Sequence, residues 1–218
     1  MSRAFWRAGL CLAVTLSVAL PWAARAGETA KVHLIGTGGP ELTPTREGMC
    51  TLIEASGQTL LFDVGRGALQ NIYLSRIDPR SATKVFLTHL HSDHICDLND
   101  VVTTQWIMSP VPKSLRLFGP PRTGAVVAGM TAMLRPDVEY RLAHHDDLTW
   151  EPQLEVVEVE PGTVFDEDGL RVIAARTDHR PVEPTLGYRI ESEGTSVVIA
   201  GDTVPCAGLD ELCRSADA

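Results

Sequence analysis

The sequence has 218 residues, of which 19 are basic and 28 acidic, so its formal net charge at neutral pH is −9. This length suits a single domain with a sizeable core. Proteins that bind a phosphate backbone normally present a basic face, so the acidic balance argues against nucleic acid as the main partner.

The N-terminal segment has the pattern of a secretory signal peptide. Two arginines precede an apolar stretch over residues 8–20, and a small-residue segment at 24–26 fits a cleavage site. The apolar stretch is shorter than the roughly 18 residues that indicate a membrane span. We therefore expect residues 1–26 to direct export to the periplasm or the cell exterior, and residues 27–218 to form one domain. Because the signal holds three arginines and no acidic residue, that domain has 16 basic and 28 acidic residues, a net charge of −12.

The first half of the domain alternates apolar runs with segments of helical spacing. The apolar runs predict strands over residues 31–35, 50–55, 59–63, 84–87 and 115–118. Helices are predicted over residues 67–77, 97–108 and 126–134. Pro136 is expected to end the last of these helices, because proline lacks the backbone N–H that a helix interior needs.

The second half has the pattern of short strands joined by tight turns. The predicted strands cover residues 154–160, 164–165, 170–176, 186–190 and 197–200. Asp168-Gly169 and Glu193-Gly194 are typical hairpin turns. No repeat or linker interrupts the pattern, which therefore favours one α/β domain rich in antiparallel connections.

Four possible metal ligands lie within six positions directly after the apolar run at 84–87. They are His89, His91, Asp93 and His94. In an extended segment the first three side chains point to one face, and His94 joins them only where the backbone turns. Imidazole and carboxylate ligands together suit zinc or a similar first-row ion, and a catalytic site keeps one position open for water. The cluster therefore predicts a catalytic metal site.

This His-x-His-x-Asp-His motif resembles the signature loop of the metallo-β-lactamase fold superfamily. The resemblance implies a four-layer αβ/βα sandwich with one or two metal ions at the sheet edge. It also implies a metal-bound hydroxide as the nucleophile.

Two later residues at predicted strand ends extend the resemblance. His179 follows Thr177-Asp178, and Asp202 lies in Gly201-Asp202-Thr203. In this order they resemble the later metal motifs of the ribonuclease Z and arylsulfatase-like branch. By that resemblance the six ligands divide into a first zinc site of His89, His91 and His179, a second of Asp93 and His94, and a bridging Asp202. Manganese or iron could replace zinc, and Asp93 would also be the catalytic residue that orients or deprotonates the water.

The sequence also departs from that branch. The branch has a further histidine on the second metal, and its ribonuclease members have another that assists the leaving group, whereas no histidine follows His179 here. We therefore expect the second half of the fold to be incomplete in this chain. Ribonuclease Z also has a long arm that binds transfer RNA, where this sequence has only the short segment 191–196.

The cysteine pattern leaves two alternatives open. Outside the signal lie Cys50, Cys96, Cys206 and Cys213, which could pair after export or stay as buried free thiols.

These features favour an exported metal-dependent hydrolase that acts on a small phosphodiester, sulfate ester or related ester. The expected partner is a small-molecule ester, with neither nucleic acid nor a membrane. A ribonuclease Z-type endoribonuclease is one alternative, and a metal-binding fragment without turnover is another.

Overall fold

The computed structural model describes residues 30–218. The predicted signal peptide at 1–26 lies outside the described residues, so export stays a prediction. Within residues 30–218, no helix has both the length and the apolar character needed to cross a membrane.

The described residues form ten strands and five helices in mixed order. The first half contains β1 (Lys31–Gly36), β2 (Cys50–Ala55), β3 (Gln58–Phe62), α1 (Ala68–Leu74), β4 (Ala82–Phe86), α2 (Ser92–Ile95), α3 (Leu98–Met108), β5 (Ser114–Gly119) and α4 (Thr123–His144). The second half contains β6 (Gln153–Glu158), β7 (Gly162–Glu167), β8 (Leu170–Arg176), β9 (Leu186–Ser192), β10 (Thr195–Ile199) and α5 (Ala207–Cys213).

The first sheet has six strands in the order β1-β2-β3-β4-β5-β6. Strands β1 to β3 pair antiparallel, whereas β3 to β6 pair in parallel. The antiparallel connections that the sequence predicts are therefore present between β1, β2 and β3, and the rest of this sheet is parallel. The reason is that helices between successive strands return the chain to the same end of the sheet, as parallel pairing requires. As a result, the C-terminal ends of β3, β4 and β5 meet at one edge.

The second sheet is antiparallel, with the strand order β10-β9-β8-β7. Both predicted hairpin turns are present. Asp168, Gly169, Glu193 and Gly194 all have positive φ values, as the two-residue turn between antiparallel strands requires. Strands β9 and β10 are therefore joined by a minimal turn, with no long arm between them.

The two sheets pack face to face, with helices on both outer sides. Between the sheets, Phe62, Phe86 and Phe118 of the first contact Phe165 and Tyr188 of the second, with ring centroids 5.6 to 6.5 Å apart. Helices α1, α3 and α4 cover the other face of the first sheet, and α5 packs against the outer face of the second. This is the predicted four-layer α/β sandwich.

Helix α4 is longer than the sequence predicts. It continues to His144, so the expectation that Pro136 ends it is wrong. Beyond the proline, Val138 and Leu142 pack with Trp106 of α3 in a small apolar core. This packing offsets the backbone hydrogen bond that a proline removes from a helix.

The four described cysteines are free thiols. Cys50 is the first residue of β2 and is fully buried, and burial, followed by the charges of Asp63 and Asp97, raises the pKa of its thiol. The thiols are thus unpaired, but only Cys50 is buried as the alternative of buried free thiols expects.

Candidate metal centre

The candidate site lies at the edge of the first sheet where β3 and β4 end. Because these strands are parallel neighbours, Asp63, directly after β3, lies beside Thr88, two residues after β4. The buried carboxylate of Asp63 accepts hydrogen bonds from the backbone N–H and from the hydroxyl of Thr88, both at 2.8 Å. These bonds tie the two strand ends together directly beneath the predicted metal loop.

The metal loop leaves β4 and turns into the short helix α2. His91 occupies the N-cap with extended backbone, and Asp93 and His94 are buried on the helix itself. The turn brings the ring centroid of His94 to 4.1 Å from that of His89. His91 is exposed, with its Nδ1 at 3.0 Å from His89 Nε2. The chain turns out of the strand at this loop, as predicted, and both His91 and His94 therefore lie next to His89.

Two loops of the second sheet complete the site. His179 lies in the loop between β8 and β9, and Asp202 lies in the loop between β10 and α5. The backbone N–H of Asp178 donates to Thr203 Oγ1 at 3.0 Å, so each loop positions the other.

The approach of these loops to the metal loop requires glycine at position 201. Its φ is 65°, and a Cβ there would lie 2.8 Å from Thr88 Cβ, closer than atoms can pack. Nearby, the backbone N–H of Leu186 donates to the Thr88 carbonyl at 2.9 Å. Asp202 is thereby held over the metal loop.

The structure brings five of the six predicted ligands into two groups. One group is His89, His91 and His179, and the other is His89, His94 and Asp202, with the ligand atoms of each group within 4.8 Å of one another. Asp202 faces both groups, because its two carboxylate oxygens lie 3.5 Å from His94 Nε2 and 3.9 Å from His179 Nε2. Asp93 belongs to neither group, although its carboxylate lies 3.7 Å from His94 Nε2.

Hydrogen bonds to Asp63 decide which nitrogen of two histidines faces the centre. His94 Nδ1 donates to Asp63 Oδ2 at 2.8 Å, which leaves the lone pair of His94 Nε2 directed toward Asp202. The Thr88 hydroxyl donates to the same oxygen, so it accepts from His89 Nδ1 at 3.0 Å and leaves His89 Nε2 unprotonated. An imidazole nitrogen with a free lone pair is the form that binds a metal ion. Asp63 is therefore a positioning residue for both histidines.

Burial and charge act differently on these two rings. Burial, followed by the neighbouring His94, lowers the pKa of His89 to about 4, so its ring is neutral at physiological pH. Burial also opposes the charged form of His94, but the hydrogen bond and charge of Asp63, with Asp202 and Asp93, outweigh it and raise the pKa. The carboxylates that attract a proton to His94 would equally attract a metal cation.

The residues present fit a divalent metal ion. His179 Nε2 is buried and has no hydrogen-bond partner among residues 30–218. A buried nitrogen without a hydrogen-bond partner destabilises the fold unless it binds a ligand such as a metal ion. This nitrogen faces Asp202 and the imidazoles of His89 and His91. Imidazole and carboxylate donors together suit zinc, and they are compatible with manganese or iron.

Sequence reasoning assigned no role to Asp63 or Thr88. A signal was available, because a carboxylate directly follows one buried strand and a hydroxyl follows the next, and parallel pairing would set them side by side. The other histidine pair, His144 and His145, lies at the end of α4 and joins no ligand group in the described part of the chain.

The profile of the Metallo-beta-lactamase superfamily matches residues 43–212, a range that includes all six predicted ligands. The chain belongs to the metallo-beta-lactamase superfamily. The resemblance carried by the metal loop is thus confirmed at the level of family and fold.

Relatives within this superfamily are similar over most of the chain. Ribonuclease Z of Mycolicibacterium paratuberculosis (strain ATCC BAA-968 / K-10) is 50% identical over 190 residues, which cover 86% of this chain and 68% of the relative. Ribonuclease Z of Mycobacterium avium (strain 104) is 48% identical over 190 residues, with the same coverage. The chain therefore spans about two thirds of the length of these relatives.

Solved structures agree with this placement. The short form of human tRNase Z has a TM-score of 0.67 and 26% identity, covering 85% of this chain and 74% of that one. The metallo-beta-lactamase fold protein YhfI from Bacillus subtilis has a TM-score of 0.65 at 20% identity, covering 86% of this chain and 68% of that one, and this likeness concerns the fold alone.

These relatives correct two expectations. The motifs and acidic charge of the sequence favour a small ester as substrate and argue against nucleic acid. Relatives named Ribonuclease Z, at about half identity, contradict both expectations and favour the ribonuclease Z alternative. The error arises because net charge describes the whole molecule, while a polyanion responds to the local arrangement of charges near the site.

Proposed function

We propose that the protein is a metal-dependent phosphodiesterase of the ribonuclease Z type and that it cleaves precursor transfer RNA. The observation that carries this proposal is the pair of adjoining ligand groups, which share His89 and are both within reach of the Asp202 carboxylate: His89, His91 and His179, and His89, His94 and Asp202. The 50% identity to a Ribonuclease Z supports the reaction, and the likeness to human tRNase Z supports the substrate class.

The two ligand groups would hold two divalent ions. His89, His91 and His179 would hold the first, His94 with Asp93 would hold the second, and Asp202 would lie between them, as its distances to His94 and His179 allow. When bound, such ions lower the pKa of water and polarise a phosphate ester.

The remaining work belongs to side chains of the protein. The Asp93 carboxylate is mostly buried and lies 3.7 Å from His94 Nε2, so, besides contributing to the second site, it would accept a proton from the attacking water. Asp63 keeps the proton of His94 on Nδ1, away from the centre.

Exposure sets the direction from which the substrate approaches. His89 and His94 close the inner side of the centre, since their exposures are 0% and 1%. His91 is exposed, and the Asp202 side chain is 40% exposed. The scissile phosphate therefore enters past His91 and Asp202.

A cleavage assay on a labelled precursor transfer RNA tests the proposal. The wild-type protein with added zinc is expected to cut the RNA at a discrete position and to stop when the metal is chelated. The double variant His89→Ala/His91→Ala is expected to lose bound zinc, measured by elemental analysis, together with cleavage. His144→Ala/His145→Ala is the matched control, because it removes a second histidine pair that lies outside the centre.

Two results would overturn the proposal. One is RNA cleavage that survives chelation or that the double variant retains at the wild-type rate. The other is a wild-type protein that hydrolyses a chromogenic sulfate ester or small diester but leaves the precursor intact.

A further inference from the structure

The arginines of the described chain fall into two classes. Eight form an ion pair with a carboxylate, at distances of 2.6 to 3.2 Å: Arg80, Arg116, Arg135, Arg141, Arg171, Arg176, Arg180 and Arg189. Five make no ion pair with any residue in the range 30–218: Arg46, Arg66, Arg76, Arg122 and Arg214. A paired guanidinium is largely neutralised, whereas an unpaired, exposed one offers its donors to an external anion.

Three of the five unpaired arginines lie on loops at the metal edge. The strand order β3-β4-β5 puts the metal loop, which leaves β4, between the turn after β3 that contains Arg66 and the turn after β5 that contains Arg122. Neighbouring strands are about 4.8 Å apart, so these turns begin at about that distance on either side. Arg46 lies on the long loop between β1 and β2, which opens at the same edge.

The backbone of both flanking turns is fixed by contacts. Arg66 follows Gly65, which is packed so closely on the metal loop that a Cβ would lie 2.2 Å from the Asp93 carbonyl oxygen. The backbone N–H of Arg122 donates to the Glu158 carboxylate at 3.0 Å. Glu158 is thereby engaged with the start of α4 and forms no ion pair with the Arg122 guanidinium. Both arginine side chains are exposed.

We propose that Arg66 and Arg122 bind backbone phosphates of the RNA on either side of the metal loop. This inference rests on the proposed function and assigns the contacts that hold the substrate. A long gripping arm is absent between β9 and β10, where only a two-residue turn connects the strands. An RNA strand that crosses the centre carries phosphates on both sides of the cleaved bond, and the guanidinium fork matches phosphate geometry.

Binding measured apart from turnover tests the proposal. We would determine the Kd of a fluorescently labelled precursor transfer RNA for the full chain by anisotropy, in metal-free buffer and over a range of salt concentrations. The test variant is Arg66→Gln/Arg122→Gln, and the control is Arg76→Gln/Arg214→Gln, which removes the same charge from unpaired arginines away from the metal loop. Arg76 and Arg122 both have left-handed backbone, with φ of 61° and 83°, so backbone strain is also matched.

The test variant is expected to bind on the order of tenfold more weakly at about 0.1 M salt. Its plot of log Kd against log salt should lose about one unit of slope for each arginine removed. Arg66→Lys/Arg122→Lys should recover most of the slope, because lysine keeps the charge. The control should keep the wild-type Kd and slope, and melting curves with zinc content verify that every variant is folded.

The outcomes separate this inference from the function on which it rests. If the wild-type protein binds and cleaves the RNA while the test variant keeps its Kd and slope, the inference is overturned and the proposed function stands. Equal losses in test and control variants also overturn it, because they indicate a response to total charge. A wild-type protein that neither binds nor cleaves the RNA overturns both.

Discussion

Replacement of Asp63 by asparagine should weaken metal binding at the centre without unfolding the protein. The carboxylate accepts three hydrogen bonds, each at 2.8 Å, from the Thr88 N–H, the Thr88 hydroxyl and His94 Nδ1. An asparagine has only one acceptor oxygen and replaces the other with an NH₂ donor. Because asparagine tolerates the left-handed backbone at this position, where φ is 55°, the change alters hydrogen bonding and leaves the turn intact.

Either orientation of the new amide has a cost. If its nitrogen replaces Oδ2, His94 must accept at Nδ1 and carry its proton on Nε2, where the proton excludes a cation. If its nitrogen replaces Oδ1, it faces the Thr88 N–H and leaves a buried donor unpaired, at about 1–3 kcal/mol. That loss corresponds to a Tm lower by roughly 2–12 °C for a chain of this size. Loss of a partner behind a metal ligand typically weakens metal affinity by about 10- to 100-fold.

Zinc titration and thermal melting of Asp63→Asn check this, with Asp97→Asn as the matched control. Asp97 is also buried and accepts a hydrogen bond from the Leu69 N–H at 3.2 Å, but it contacts no histidine. The control should melt at a lower temperature and keep its zinc affinity. Nitrogen chemical shifts of His94 in the metal-free protein should report the changed tautomer. Wild-type zinc affinity in an Asp63→Asn protein whose His94 carries its proton on Nε2, or equal weakening in both variants, would refute the link between the Asp63 hydrogen bonds and metal binding.

Three further predictions concern the core, the thiols and the N-terminal segment. Tyr188→Phe removes a fully buried hydroxyl that donates to the Leu87 carbonyl at 2.7 Å. The free energy of unfolding, measured in urea, should therefore fall by about 1–3 kcal/mol. An unchanged free energy would show that this hydrogen bond does not stabilise the fold. In native alkylation, two thiols should react before the buried Cys50: the exposed Cys213 and the half-buried Cys206. The backbone N–H of Leu209 lowers the thiol pKa of Cys206, which favours its reactive thiolate. Early labelling of Cys50 would contradict its burial. If residues 1–26 form a signal peptide, their fusion to a reporter that is active only outside the cytoplasm should give reporter activity. Export would separate the enzyme from transfer RNA, so that result would weigh against the proposed substrate.

Local patterns in the sequence account for most of the elements around the site. The predicted strand at 170–176 matches β8, because alternation and a flanking hairpin turn are local features. The ligands from His89 to His94 are equally local. The role of Asp63 is not, because it depends on the pairing of β3 with β4 across 25 residues. Helix α4 continues beyond Pro136 for a similar reason. Tertiary contacts of Val138 stabilise its second half, and helix propensity does not include such contacts.

On the proposed function, the substrate is the feature least predictable from the sequence, and the distribution of arginines offers a reason. A net charge of −9 counts every charged group equally, whether it is paired, unpaired, near the centre or far from it. A bound polyanion responds mainly to charges within a Debye length of about 8 Å at physiological salt. Eight of the described arginines are cancelled by carboxylate partners, while Arg66 and Arg122 flank the metal loop without one. On the proposed function, the acidic remainder of the surface would repel RNA, whereas this edge would attract it. The acidity of the chain would then orient the substrate rather than exclude it.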